Sequence, residues 1–412
     1  MILKKCKKDL NNKCIYFKNK NNTFIPPEIK EEFIEFKKKF KKPSDFKKFI
    51  YPFINRVSSN IYDRINYYNN ITKYFKFKNF SDKCLRYYKT SNNNKPIYRV
   101  GNSLILKNRI GSDSVNGIVF LTTFRNSNLK LFKFASKIVV YNHKVKKELK
   151  ILYALSNLVR SNKCPHFPIL YYILSCNNFT SFDNSSYVKS INNNTNNYNV
   201  KNLDKYPNVI RKNIHSRFSL TLNELANGDL KMFINDYNYS SDLHLNAFAQ
   251  IIFSLFFFYY HIKAYHNDAH WGNFLFHKIK PKGYFHYKFL NTNYYLKNLG
   301  FLWIIWDYEL SIFFNDITSS TDITPSIDVY RIIHAFIPEN LGGWVPDNKY
   351  KINHTHSNTL IEIKKNFKNI NNLNSLLNYL LNTLINLKVI QKNKPKKNLI
   401  INKIPFIIPS LS

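Results

Sequence analysis

Residues 266–277 read HNDAHWGNFLFH. Three histidines, one aspartate and two asparagines stand here, just past the apolar run Ile251–Tyr260. The longer stretch around that run, HLNAFAQIIFSLFFFYYHIKAY, is apolar nearly all round, which predicts a helix buried within a lobe. Polar residues at the mouth of such a helix suit a metal site, a catalytic loop or a polar cap. Zinc would need a fourth ligand beside His266, His270 and His277, and no acidic or cysteine residue completes the set.

Upstream, the runs SLILKNRIG (103–111), NGIVFLTTF (116–124) and LKLFKFASKIVVYN (129–142) alternate between Gly, Asn and Ser turns. They predict an antiparallel sheet. A helix is expected over Lys144–Val159, from Val145, Leu149, Leu152, Leu155 and Leu158. HFPILYYIL (166–174) and RFSLTLNEL (217–225) read as strands, separated by an Asn- and Ser-rich stretch, 177–213, that reads as a disordered insertion. Downstream, FLWIIWDYEL (301–310) is a short hydrophobic strand ending in acid. DVYRIIHAF (328–336) and residues 359–390 read as helical. Before all of this, EIKEEFIEFKKKF and DFKKFIYPFINRV have helical spacing, and TSNNNKP (90–96) reads as a linker. The expected organisation is a basic N-terminal region over 1–95, a β-rich lobe over 96–235, a helical lobe over 236–395 and a peripheral tail over 396–412. The fold class is α+β, with two lobes.

Composition limits the function less than the motifs do. The chain has 412 residues and a net charge of +37, from 62 Lys and Arg against 25 Asp and Glu. Such a field attracts nucleic acid, anionic lipid or acidic substrates. Lys, Asn, Ile, Phe and Tyr are also what A/T-rich codons supply, and no nucleic-acid-binding motif accompanies the lysines. Nucleic acid is therefore a possible partner and not the expected one. Five cysteines, an odd count without zinc spacing, suit free thiols in a reducing compartment. The N-terminus MILKKCKKDL does not read as a signal peptide. Ile251–Tyr260 is too short to span a membrane, and Phe301–Phe314 carries Asp307 and Glu309. A cytoplasmic protein without a transmembrane segment is the expectation.

A buried helix followed by H-x-D-x-x-x-x-N, here His266, Asp268 and Asn273, resembles the catalytic loop of the protein kinase superfamily. A phosphoryl acceptor needs a carboxylate to orient its hydroxyl and take its proton, the role of Asp268. Asn273 supplies an amide oxygen for Mg²⁺. Asp307, in IWDYEL, resembles the aspartate that chelates the metal on the ATP phosphates, with Tyr308-Glu309 where the family has Phe-Gly. Lys137, in FASKIVV, resembles the strand lysine that meets the α- and β-phosphates, and Glu148 on the next helix its ion-pair partner. IGSDSVNGIVF is similar to the glycine-rich loop, with Gly111 and Gly117 at its ends. LNELANGDLKMFI looks like the hinge: backbone around Glu224, Leu225 and Ala226 would meet the adenine, and Asp229 the ribose. Asp328 resembles the buried aspartate that holds the catalytic loop. The order of these parts matches the family over about residues 97–340.

The resemblance implies a bilobal protein kinase-like fold, ATP and Mg²⁺ (or Mn²⁺) as cofactors, and a serine/threonine protein kinase acting on protein substrates. Its pattern is similar to divergent kinases of large A/T-rich DNA viruses, which implies host or virion substrates, and infected cytoplasm or the particle as location. His270 stands where Ser/Thr kinases carry lysine; a histidine there occurs in kinase-like phosphotransferases acting on sugars and antibiotics. Asn267 replaces the arginine that reads a phosphorylated activation loop. Only about twenty residues separate Asp307 from Asp328, and no Ala-Pro-Glu motif is present. Two alternatives therefore stand: a small-molecule kinase of the aminoglycoside or choline kinase type, and a pseudokinase scaffold binding nucleic acid or a partner protein.

Overall fold

Strand-forming runs rich in Val, Ile, Phe and Thr assemble into one antiparallel sheet of seven strands, the centre of the first of two units. The computed structural model describes residues 5–8, 14–18, 24–25, 61–74, 85–90, 96–100, 104–110, 117–124, 133–176, 187–189, 198–200, 204, 206–213, 216–237, 240–317, 324, 326–337, 354–367, 370 and 372–409. The chain divides into one compact unit of 1–56, 63–142 and 170–225, and another of 57–62, 143–169 and 226–412. The architecture is α+β.

In the first unit, helix α1 (Asp63–Tyr74) precedes strands β1 (Leu85–Thr90), β2 (Pro96–Val100), β3 (Leu104–Arg109), β4 (Gly117–Phe124), β5 (Lys133–Val140), β6 (Leu170–Cys176) and β7 (Phe218–Glu224). The sheet order is β1-β2-β3-β4-β5-β7-β6, so β7 inserts between β5 and the edge strand β6. Leu104, Leu106, Phe120, Phe134 and Leu222 are fully buried. Tyr171 packs its ring on Phe134 and on Tyr67 of α1.

Two expectations change here. Thr90 pairs with Pro96, so TSNNNKP joins two paired strands, and β1 lies in the same sheet as the strands beyond residue 96. Residue 95 therefore does not separate two compact bodies. The end of the Asn-rich stretch is also packed: Tyr206 is buried against Tyr98, its hydroxyl accepts from the Tyr87 amide, and Ile210 of the short helix α2 (Asn208–Arg211) is buried. Aromatic anchoring holds this polar segment in place. Within the stretch, Tyr187–Lys189 pairs with Tyr198–Val200. The two helices expected over 28–40 and 45–57 lie outside the described residues.

The second unit contains helices α3 (His143–Arg160), α4 (Leu230–Tyr237), α5 (Ser241–Ile262), α6 (Ile327–Phe336), α7 (His354–Asn366) and α8 (Leu373–Asn386). The helical reading of 359–390 thus falls on α7 and α8; Asn372 caps the second by accepting from the Asn374 and Ser375 amides. Helix α5 starts at Ser240, whose hydroxyl accepts from the Leu243 amide, and ends at Lys263 in the left-handed conformation. Among the described residues it is the one helix long and apolar enough to cross a membrane, longer than the run Ile251–Tyr260 suggests, and 83% of its apolar window is buried inside the fold. Its polar side chains are spent on a neighbouring strand: Gln250 accepts from the Trp303 amide and donates to the Phe301 carbonyl.

The strands of this unit are β8 (Gly228–Asp229), β9 (Ala264–Tyr265), β10 (Phe274–Lys278), β11 (Tyr284–Phe289), β12 (Thr292–Lys297), β13 (Phe301–Ile305), β14 (Ile312–Phe313), β15 (Ile390–Gln391) and β16 (Phe406–Ile408). They form three sheets, β8-β10-β13, β9-β14 and β15-β12-β11-β16. The last overturns the peripheral tail: β16 pairs in parallel with β11, Phe406 and Ile408 are buried, and Asn402 both accepts from and donates to the His286 backbone. Alternating apolar residues over 406–408 gain more by covering the hairpin than by remaining in water.

Candidate functional site

The loop 266–273 is held by one buried carboxylate. Asp328, near the start of α6, is fully buried. Its Oδ2 accepts from the His266 amide at 2.7 Å and the Tyr259 hydroxyl at 3.0 Å, and its Oδ1 accepts from the Asn267 amide at 2.8 Å. Burial pushes its carboxyl above the ordinary value, against the pull of these donors. Asn267 adopts φ 58°, a left-handed conformation that asparagine tolerates. Arg331, one turn along α6, donates to its carbonyl and side-chain oxygens. His266 is fully buried and held below the usual histidine range by desolvation, so its neutral ring donates from Nε2 to the Trp306 carbonyl at 3.1 Å.

This grip presents Asp268 at the loop's turn. Burial raises its pKa, but the hydrogen bond and charge of His270, then His266 and the Asn273 amide, outweigh it and leave the carboxyl below the usual carboxylate range. His270 Nε2 lies 3.6 Å from Asp268 Oδ2, and its Nδ1 accepts from the Gly272 amide. Asn273 donates from Nδ2 to both the backbone carbonyl and Oδ2 of Asp268, at 2.8 and 3.0 Å. With its nitrogen committed, its Oδ1 is the side-chain atom left to accept or to ligate.

Strand pairing brings the next acid to this loop. β10 and β13 run antiparallel with Phe274 opposite Ile305, so the residue before one strand and the residue after the other must meet. The Trp306 amide donates to the Asn273 carbonyl at 2.8 Å, and Asp307 follows at φ 65°. Tyr308 anchors the turn: its ring stacks on Phe258 and its hydroxyl donates to the Ile305 carbonyl. Carboxylate oxygens of Asp307, Glu309 and Glu148 lie within 4.8 Å of one another, Glu148 reaching them from α3. Three acids this close suit a bound cation, which would offset their mutual repulsion. Their oxygens are donors of the kind Mg²⁺ or Mn²⁺ selects.

The remaining expected residues stand on other elements, and Asp229 pairs with Leu275 of β10. Lys137 is buried in β5, between Val119 of β4 and Thr221 of β7. Gly117, at the start of β4, leaves room beside it: a Cβ there would stand 3.5 Å from Lys137 Cε and collide with Val139. Gly111 lies outside the described residues. Glu224, the last residue of β7, turns its carboxylate to Arg64 of α1; Arg64 Nε donates to Oε2 at 2.8 Å and Nη2 donates to Oε1. Both side chains are buried. Leu225 follows, half-buried. Asp229 caps α4, its Oδ1 accepting from the Met232 amide at 2.9 Å, which leaves Oδ2 for any further contact.

Sequence reasoning passed over two residues of weight. Glu309 was legible as an acid two positions after Asp307, yet it reads there only as a lost glycine. Arg64 sits 160 positions from its partner, and nothing local marks it. A scan against protein-family models finds no match for this chain, and neither does a search of curated proteins.

Proposed function

We propose that the chain is an ATP- and divalent-metal-dependent phosphotransferase with a two-lobed kinase-like fold, acting as a serine/threonine protein kinase on host or virion proteins. The pairing of β10 with β13 supports the reading, because it bonds the Trp306 amide, one residue before Asp307, to the carbonyl of Asn273, whose side chain bonds Asp268. Asp268, ionised across the neutral range, orients an acceptor hydroxyl and takes its proton as the oxygen attacks the γ-phosphorus of ATP and ADP leaves with the bridging oxygen. The Asn273 amide holds that carboxylate in place. Asn273 Oδ1, Asp307 and Glu309 would hold the metal, which, with ATP bound, supplies neutralisation of phosphate charge. Glu148 stands close enough to Asp307 to join that set. Lys137 is assigned to the ATP phosphates, a role suited to a cation buried in a central strand. A second reading, transfer to a small-molecule hydroxyl, is favoured by His270, which leans on Asp268.

The test is transfer from γ-labelled ATP with Mg²⁺ or Mn²⁺, wild type against Asp268→Asn. The acceptors are the protein itself, a basic and an acidic protein, and a panel of sugars and aminoglycosides. Label on protein serine or threonine that falls by about 10²–10⁴ in the variant, with ATP binding retained, is the expected result. Label on a small molecule selects the second reading. No transfer to any acceptor, with weak ATP binding, removes both and leaves a pseudokinase scaffold.

A further inference from the structure

The four-stranded sheet β15-β12-β11-β16 and its flanks are built from residues 279–300 and 387–409, which contain ten lysines, no arginine and no acidic residue. The fold brings these two distant segments together. Gly283 packs so tightly on the Leu399 carbonyl that a Cβ would lie 2.3 Å from it, and Ile401 donates its amide to the Tyr284 carbonyl. Lys280 and Lys282 on one segment and Lys396 and Lys397 on the other flank this contact in the chain, all four exposed. Lys297 is paired opposite Tyr284 at the same end of the hairpin. Lys403 leads into β16, where Ile407 pairs with Lys288 on the outer face of the sheet.

The apolar side chains on this face decide what it meets. Ile404 is 71% exposed and Ile407 52%; exposed Lys403 precedes the first, and Lys288 pairs with the second. Nucleic-acid surfaces interleave their cations with arginine and exposed aromatic rings for stacking. This face has no arginine, and its central tyrosine, Tyr295, is buried and stacked on His286. Lysines around protruding aliphatic side chains suit the boundary of a bilayer: ammonium groups meet anionic headgroups while isoleucines enter the upper acyl region. We propose that this face docks the protein on an anionic lipid surface. The inference does not depend on the phosphotransfer reading.

The experiment is co-sedimentation of the full chain with vesicles of phosphatidylcholine containing about one third phosphatidylserine, against phosphatidylcholine alone. Three variants are compared: Lys280, Lys282, Lys396 and Lys397 all changed to Gln; Ile404→Ser with Ile407→Ser; and a control with Lys144, Lys146, Lys150 and Lys163 changed to Gln. Each lysine held near such a surface is worth about fivefold in partitioning, so the first variant should lose about two orders of magnitude or more. The isoleucine variant should lose about tenfold or more. The control should stay near wild type, and thermal melting checks that each variant is folded. Wild-type binding should also weaken between roughly 0.1 M and 0.5 M salt. Equal sedimentation with neutral and anionic vesicles would overturn the proposal, as would a control that loses as much as the first variant. Failure to bind anionic vesicles combined with steeply salt-dependent binding of RNA or duplex DNA would overturn it in favour of a nucleic-acid surface. If the lysine variant does not fold, the salt response and the isoleucine variant decide alone.

Discussion

Asp328→Asn keeps the shape of the side chain and removes only its ability to accept on both oxygens. In the native site Oδ2 takes the His266 amide and the Tyr259 hydroxyl, and Oδ1 takes the Asn267 amide. The best asparagine rotamer keeps the two bonds at Oδ2 and turns its NH₂ toward the Asn267 N–H, 2.8 Å away in the native geometry. One bond to a charged acceptor is lost and one backbone donor is left facing another donor, together about 3 kcal/mol. Burial raises the Asp328 pKa, so the native charge is itself costly, and a neutral amide recovers part of the loss. The net expectation is about 2 kcal/mol for Asn, and about 4 kcal/mol for Asp328→Ala, which removes all three acceptors. The strain falls on the loop carrying Asp268, so turnover should drop by about ten- to a hundredfold while ATP binding changes little. Urea unfolding followed by tryptophan fluorescence reports on this unit, since Trp271, Trp303 and Trp306 all lie in it. An alanine variant that unfolds within about 0.5 kcal/mol of wild type and turns over at full rate would refute the reasoning.

Asp307→Ala should abolish metal-dependent transfer, and Glu309→Gln should raise the half-saturating Mg²⁺ concentration by about tenfold; a Mg²⁺ titration of the transfer rate checks both. Arg64→Met removes the guanidinium that holds both oxygens of the buried Glu224 carboxylate and should cost about 3–5 kcal/mol in a denaturant titration, whereas Arg64→Met with Glu224→Met should lie much closer to wild type. His244 and His261 are both held below the usual histidine range, by burial first, with Lys163 and Lys263 adding to it at His261. They stay neutral in the folded chain while the unfolded chain takes up protons below about pH 6.5, so stability should be full above that pH and fall below it. Melting temperatures across that range, with His261→Gln flattening the slope, measure the effect.

Much of the fold was legible because burial leaves a periodic trace. Helix α5 is apolar nearly all round, and Asn246–Tyr260 is buried throughout. Strands β4, β5 and β7 carry β-branched and aromatic residues and pair in continuous register. The hairpin Tyr284–Lys297 left a weaker trace. Its inward positions are Phe285, Tyr287, Tyr294 and Leu296, and Tyr295 and His286 lie on its outer face, so aromatic residues occupy both sides and the contrast of period two is lost. The buried Arg64–Glu224 pair was beyond reach for a different reason. A lysine-rich sequence offers many cations for one acid, and only the packing of α1 selects among them.

The relation between Asn273 and Asp307 follows from register. Between them lie 33 positions, of which β10 and β13 account for ten. The remainder is a hairpin and its connections, and it could be longer or shorter without moving either residue. What fixes the two is the pairing of Phe274 with Ile305, since a slip of one residue would turn every side chain of a strand to the opposite face. Phe276 and Trp303 oppose each other in that pairing, are both buried, and pack their rings together. A slip would bring the hydrophobic stabilisation of the strand into conflict with the site, so the same aromatic contact that stabilises the sheet also holds the Trp306 amide on the Asn273 carbonyl.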